Sequence, residues 1–307
     1  MADARPERSS SRTALGVAAL RAVHQLLDGE PKILHDPVAV RLLDADVLQQ
    51  IRSNPARSDE PLIKGLRSHV VLRSRYAEER MAQAVQRGVR QCVILGAGFD
   101  TFAYRQPDWA RSLRIYEVDH RATQEDKRQR LQSAGIPIPA NLEFVAIDFE
   151  SVSLREGLQT STLNFSEPAF FSCLGVLVYL SQEAANAIFQ LVAAFPARSE
   201  IVFTFSPPDS PNSGNDAESR IALANMANAL GEPWQTHFEP QTLMRDLRAL
   251  GFSAISFLSS EAADQIYFQS RNDGLHAPRR GGICAAIVAG QVVSHVGSHE
   301  GGNPQQE

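Results

Sequence analysis

Two glycines, Gly96 and Gly98, stand just behind the apolar start of "VILGAGFDTFAYR" (residues 93–105), with Ala97 between them and an acid, Asp100, two places on. Lacking side chains, they let a strand-end turn adopt unusual dihedrals and bring backbone close to a ligand. A dinucleotide turn would carry a third glycine three places after Gly98, where this chain has Thr101, so the close helix approach that a pyrophosphate needs is not provided. Asp119 closes the next apolar run, "IYEVD", and is followed by His120. A carboxylate there can accept hydrogen bonds from both hydroxyls of a ribose. Asp148, in "AIDFE", ends a third run, where it can accept from the exocyclic amine of adenine while Phe149 borders the base. Taken singly, Asp119 and Asp148 would serve as well as helix caps. Successive strand-end acids behind a glycine turn favour a nucleoside. A nucleoside whose tail ends in a carboxylate needs a cation, and Arg73, in "RSRYAEER", can offer a bidentate fork or else belong to a solvated charged face.

Positioning these residues requires a parallel sheet, and the chain has the pattern for one. The runs at 91–96, 113–119, 142–148, 169–175 and 200–206 are short and apolar, each followed mostly by a helix-like stretch. Runs at 252–258 and 282–290 bring the expected strands to seven. Residues 13–27 and 66–88 carry apolar positions at three- and four-residue steps and read as helices before the sheet, the second closing at Gly88. "SPPDSPNSGND" (206–216) is too rich in Pro, Ser, Asn and Gly for regular structure and opens an insertion, a lid of about 207–239 after the fifth strand. The expectation is a single α/β domain over 13–290, a doubly wound, mostly parallel sheet with N-terminal helical additions, between polar, disordered tails at 1–12 and 291–307.

Composition narrows the partners. Of 307 residues, 43% are hydrophobic and 21% charged, enough apolar material for a buried core. A net charge of -5 gives no footing for counterion-release binding, so a nucleic-acid partner is not expected. Cys92, Cys173 and Cys284 each lie inside an apolar run, and their odd number fits reduced thiols better than a disulfide framework. The N-terminus "MADARPERSSSR" lacks an apolar signal core, and no stretch approaches the roughly eighteen apolar residues of a membrane span. The expected location is the cytoplasm, away from membranes. No His/Cys/Asp cluster has metal-ligand spacing, and no Ser or Cys stands in a nucleophile elbow.

"VILGAGFDTFAYR", "YEVD", "AIDFE", "FSCLGVLVYL" and "GEPW", in this order, resemble the leucine carboxyl methyltransferase family, most closely its bacterial branch acting on small molecules, over roughly residues 13–289. The resemblance implies a class I methyltransferase fold and S-adenosylmethionine as cofactor. It implies that Arg73 meets the methionine carboxylate, Gly96 and Gly98 line the methionine, Asp119 holds the ribose, and Asp148 with Phe149 addresses the adenine. The fourth strand's "CLGVLVYL" would border the sulfonium and the acceptor. Leu174 stands where the phosphatase-methylating members have a glutamate, which favours a small metabolite over a protein C-terminus as acceptor. Transfer to a carboxylate or hydroxyl oxygen is the first expectation, with nitrogen or carbon as alternatives.

Methyl transfer asks the protein to align a nucleophile, exclude water and, where the nucleophile is protonated, accept a proton. Tyr179 and His237 are the candidates for the acceptor side, each with a structural alternative: a half-buried tyrosine, or a histidine of the lid. Arg271 suits a fold-stabilising ion pair as well as a substrate contact. His24 and His69 lie on helices and need no functional explanation. Met226, Trp234 and Phe238 suit an apolar or aromatic acceptor, or equally a packed lid core. Two other classes compete: a nicotinamide-dependent dehydrogenase, which should have the third glycine, and a nucleoside-binding protein without turnover.

Overall fold

The seven apolar runs form β1 (Gln91–Leu95), β2 (Arg114–Asp119), β3 (Leu142–Ala146), β4 (Ala169–Cys173), β5 (Glu200–Phe205), β6 (Phe252–Phe257) and β7 (Gly282–Val288). In this computed structural model the described residues are 10–208, 214–279 and 281–290. The strands make one sheet in the order β3-β2-β1-β4-β5-β7-β6. β1 to β5 pair in parallel, and β7 runs antiparallel between β5 and β6. β1, β4 and β5 are buried along their whole length, as expected of strands covered on both faces. Within β1, Val93 and Leu95 join the core on one face while Cys92 and Ile94 join the core on the other.

The helices are α1 (Arg12–Leu27), α2 (Pro37–Arg41), α3 (Ala45–Ser53), α4 (Pro55–Ser58), α5 (Pro61–Gln86), α6 (Arg121–Ser133), α7 (Leu154–Gln159), α8 (Gln182–Ala193), α9 (Gly214–Ala229), α10 (Pro240–Ala249) and α11 (Ser260–Ala263). α5 starts before the expected position 66, at Pro61, a residue suited to the first helical position. It ends as read, with Gly88 in the left-handed region at φ 95°. α9 fills the insertion after β5. Of the expected tails, 1–9 and 291–307 lie outside the described residues, whereas Ser11 caps α1 by accepting from the Ala14 N–H and Arg12 begins it.

Two buried acids fasten the N-terminal helices, Asp36 to the segment after β1 and Asp28 to one another. Asp36, fully buried, accepts from Thr101 Oγ1 at 2.7 Å and from the Ala39 N–H at 3.0 Å, beside Arg21 at 3.5 Å and Arg105 at 3.4 Å. Asp28 takes both arms of the Arg67 fork at 2.9 Å and lies 2.8 Å from His24 Nδ1. Among the described residues no helix is long and apolar enough to cross a membrane. The three cysteines sit in β1, β4 and β7, buried and unpaired, and burial pushes the Cys173 thiol up to about 12.

Candidate active site

The direction of connection reverses between β1 and β4, and an open parallel sheet offers its crevice at the carboxyl ends of such a pair. Gly96 and Gly98 follow β1 with φ of 63° and 47°, values that L side chains rarely adopt. A Cβ on Gly96 would run into Val176, in the turn after β4, and one on Gly98 would stand 3.0 Å from Ala14 Cβ on α1. The turn is thus wedged between the neighbouring strand's exit and the helix above.

Asp119 is fixed by this turn. Its Oδ2 accepts from the Gly98 N–H and its Oδ1 from the His120 N–H, both at 2.6 Å. A carboxylate has about four acceptor positions, so capacity is left for two further donors. Burial raises the Asp119 carboxyl above its ordinary value, against the pull of those two N–H groups. The helix-cap alternative does not apply, because α6 is capped by His120, whose Nδ1 accepts from the Ala122 N–H at 3.2 Å. Asp148 accepts from the Glu150 N–H at 3.1 Å in the turn after β3, and α7 has its own cap in Ser153.

Arg73 reaches the same place from α5. It is 9% exposed, and no acid among the described residues forms an ion pair with it. Burial lowers its guanidinium to about 10, partly offset by Tyr179 nearby. A Cβ on Gly175, φ 74°, would stand 2.6 Å from Arg73 Nη1, so the glycine after β4 leaves the space that the guanidinium occupies. A buried, unpaired fork beside two strand ends is a ready receptor for a carboxylate.

Arg73, Gly96, Ala97, Gly98, Asp119, His120, Asp148, Phe149, Leu174 and Tyr179 all border one cavity of about 1190 Å³. That exceeds the roughly 300–1,000 Å³ of a typical single-ligand pocket. His237 is not among its lining residues. Around it the chain is extended, with Thr236 Oγ1 donating to the Leu180 carbonyl and the Phe238 N–H to the Ser206 carbonyl, so 236 and 238 face inward and His237 is exposed. His237 is thus not brought to the cavity wall. Met226 and Trp234 line the cavity, whereas Phe238 packs on Phe189 in the core. Arg271 donates to Asp273 and to the carbonyls of Gly29 and Pro31, away from the cavity, as a fold-stabilising clamp.

Two lining residues escaped the sequence reading. Glu232, the acid of "GEPW", accepts from Ser11 Oγ at 2.9 Å, from the Arg12 N–H at 2.8 Å, and from the Thr13 N–H and hydroxyl. It ties the end of the lid to the start of α1, where a negative charge suits the helix dipole. His69 also borders the cavity, its Nδ1 buried without a hydrogen-bond partner among the described residues. It lies four residues before Arg73, and that i,i+4 relation is the signal that would have placed it there.

The family model for leucine carboxyl methyltransferase matches residues 14–193, from the start of α1 to the end of α8, and so takes in all of these strand ends. The chain belongs to the leucine carboxyl methyltransferase family. Relatives agree: YktD of Bacillus subtilis, named for S-adenosyl-L-methionine-dependent methyl transfer, is 29% identical over 88% of this chain and 95% of its own. A similarly named Mycolicibacterium paratuberculosis protein is 31% identical over 66% of this chain and 68% of its own. The fold is also that of a DUF574 protein from Streptomyces avermitilis (TM-score 0.52, 14% identity, 88% of this chain and 97% of that one). A Thermobifida fusca protein named as a methyltransferase gives the same TM-score at 15% identity, covering 89% and 94%. This member of the leucine carboxyl methyltransferase family is an S-adenosylmethionine-dependent methyltransferase with a class I fold, and the dehydrogenase reading falls.

Proposed function

We propose that this methyltransferase acts in the cytoplasm on a small, largely apolar metabolite and transfers the methyl group to oxygen. The observation that carries the reading is the cavity's surplus. Once the strand-end half is given to the cofactor, walls of Val47 and Ile51 from α3, Ile63, Leu66 and Val70 from α5, and Leu223, Met226 and Trp234 from the lid remain, enclosing room for a second molecule. The buried, free cysteines suit a reducing compartment.

The chain's own groups fit the cofactor on three counts. Arg73, buried and unpaired, would receive the methionine carboxylate in its fork. Asp119, anchored on Gly98 and His120, would accept from the ribose hydroxyls. Asp148 and Phe149 would border the adenine, with Gly96, Ala97, Gly98 and Leu174 against the chain between. The bound cofactor supplies an activated methyl on a sulfonium, so the protein's task is alignment and exclusion of water. α1 and the lid, joined at Glu232, would roof the cavity for that purpose, and Tyr179, which lines the cavity beside Arg73, would orient the acceptor.

Release of S-adenosylhomocysteine from S-adenosylmethionine, measured against a panel of aromatic and aliphatic hydroxyl compounds, their carboxylate counterparts and a peptide ending in a free carboxylate, tests the reading. Turnover of small molecules with an ether or ester product supports it. Turnover of the peptide alone contradicts it.

A further inference from the structure

We infer that His69 is the acceptor-side base of this enzyme and that the methyl acceptor is a neutral hydroxyl held on its imidazole. The inference rests on the small-molecule reading above and names the functional group that reading leaves open.

α5 enters the cavity with two polar side chains on one face, one turn apart. Arg73 belongs to the cofactor half, beside Gly175 and Tyr179. His69 lies one turn towards the helix start and borders the cavity along with Ile63, Leu66 and Val70, the side we assign to the acceptor. On its other side is the loop before β7: a Cβ on Gly281 would stand 3.2 Å from the imidazole Cε1. No hydrogen bond to the ring is formed among the described residues, and its Nδ1 is buried. An imidazole without a partner at a cavity wall is a ready partner for a ligand hydroxyl. His24, the fully buried histidine of the N-terminal helices, has both nitrogens engaged, by Asp28 and by the Ile33 N–H.

Burial, with the Arg73 charge, lowers the His69 imidazole to about 3. The ring is neutral at physiological pH and offers one lone pair and one N–H. A neutral ring has no charge with which to draw a carboxylate, and its lone pair is always available to an O–H donor. Weak basicity suffices for the step. As the acceptor oxygen forms its bond to the methyl carbon, the C–S bond pair returns to sulfur, leaving a neutral thioether. The oxygen, now carrying three bonds, becomes strongly acidic and gives its proton to the imidazole, which later releases it to water. The products are a neutral methyl ether, S-adenosylhomocysteine and one proton.

The test uses the full chain saturated with S-adenosylhomocysteine and two probes of similar size, 4-nitrophenol at a pH where it is mostly neutral, and 4-nitrobenzoate. The wild type should bind 4-nitrophenol in preference to 4-nitrobenzoate. His69→Phe should weaken the phenol at least tenfold, His69→Asn by less, and both variants should keep S-adenosylhomocysteine affinity within about twofold. Equal phenol binding by wild type and His69→Phe, preference for the carboxylate, or no phenol binding overturns the proposal. Loss of S-adenosylhomocysteine in both variants also overturns it, by returning His69 to the cofactor half or the fold. Preference for 4-nitrobenzoate would leave the small-molecule reading standing, which separates the two failures.

Discussion

In the cofactor half of the cavity the principal polar contacts descend from strand ends: the Gly96–Gly98 turn from β1, Asp119 from β2, Asp148 from the turn after β3, Gly175 from β4. In the acceptor half the walls come from α1, α3, α5, the α9 lid and residues 276–279, segments far apart in sequence and held by side-chain ties. Strand ends are fixed by a buried backbone ladder, whereas helices docked through individual residues can be exchanged or retuned without touching the sheet. On the proposed reading the first half would hold the cofactor and the second the acceptor.

The largest expected effect is in the cofactor half. Gly96→Ala adds a Cβ against Val176 at a left-handed position, which together should cost about 2–5 kcal/mol of stability. Thermal unfolding checks this, and an unchanged melting temperature would mean that the turn can yield as the helices do. Asp119→Ala should weaken S-adenosylhomocysteine by about 1.5–3 kcal/mol in isothermal titration, the range for hydrogen bonds to a charged group. The effect can be larger because the same carboxylate holds the Gly98 and His120 N–H groups. Unchanged affinity in a folded variant would remove the ribose from Asp119.

A smaller effect is expected at the seam between the halves. Glu232→Gln keeps shape but removes the charge from the start of α1, and should cost about 0.5–2 kcal/mol, as for loss of a helix cap. Hydrogen exchange in α1 and α9 should quicken while β1 to β3 stay protected. Uniform exchange throughout would mean that the lid is not a separate unit.

The smallest expected effect is the pH dependence, and its sign differs between the halves. Asp28 and Asp273, which tie down the helical half, are held below the ordinary carboxylate value: His24 and Arg67 outweigh burial at Asp28, and Arg271 with backbone N–H groups does so at Asp273. Their contribution is complete above the unfolded value of about 3.9 and is lost as pH falls towards the folded value. Asp119 is raised, so between its unfolded and folded values it makes the fold less stable as pH rises. Mild acid should therefore loosen α1, α5 and residues 271–279 before the ends of β1 and β2, seen as the order of exchange protection lost between pH 5 and 3. The reverse order would break the comparison.

The same division decides what was legible in the sequence. Gly96, Gly98, Asp119 and Asp148 could be placed because a short apolar run announces its own end, and in a parallel sheet those ends face the ligand. The seven strands followed from the same pattern. The short helices α2 to α4 did not, since none is long enough for a helical period to show. Glu232 was quoted in "GEPW" without a role, because its partner, the start of α1, lies more than two hundred residues away. The outward position of His237 follows from the alternation of Thr236 and Phe238 around it. His69 was set aside although a helix that brings Arg73 to a cavity must bring the residue four places earlier to the same face.

The central claim, that the strand-end half holds S-adenosylmethionine, is tested most directly by a crystal structure of the S-adenosylhomocysteine complex. The account predicts the ligand carboxylate on the Arg73 fork, both ribose hydroxyls on Asp119 and the adenine between Asp148 and Phe149, with the space beside His69 left open. A ligand carboxylate held elsewhere with Arg73 still unpaired, or an adenine seated among Ile63, Leu66 and Val70, would contradict it.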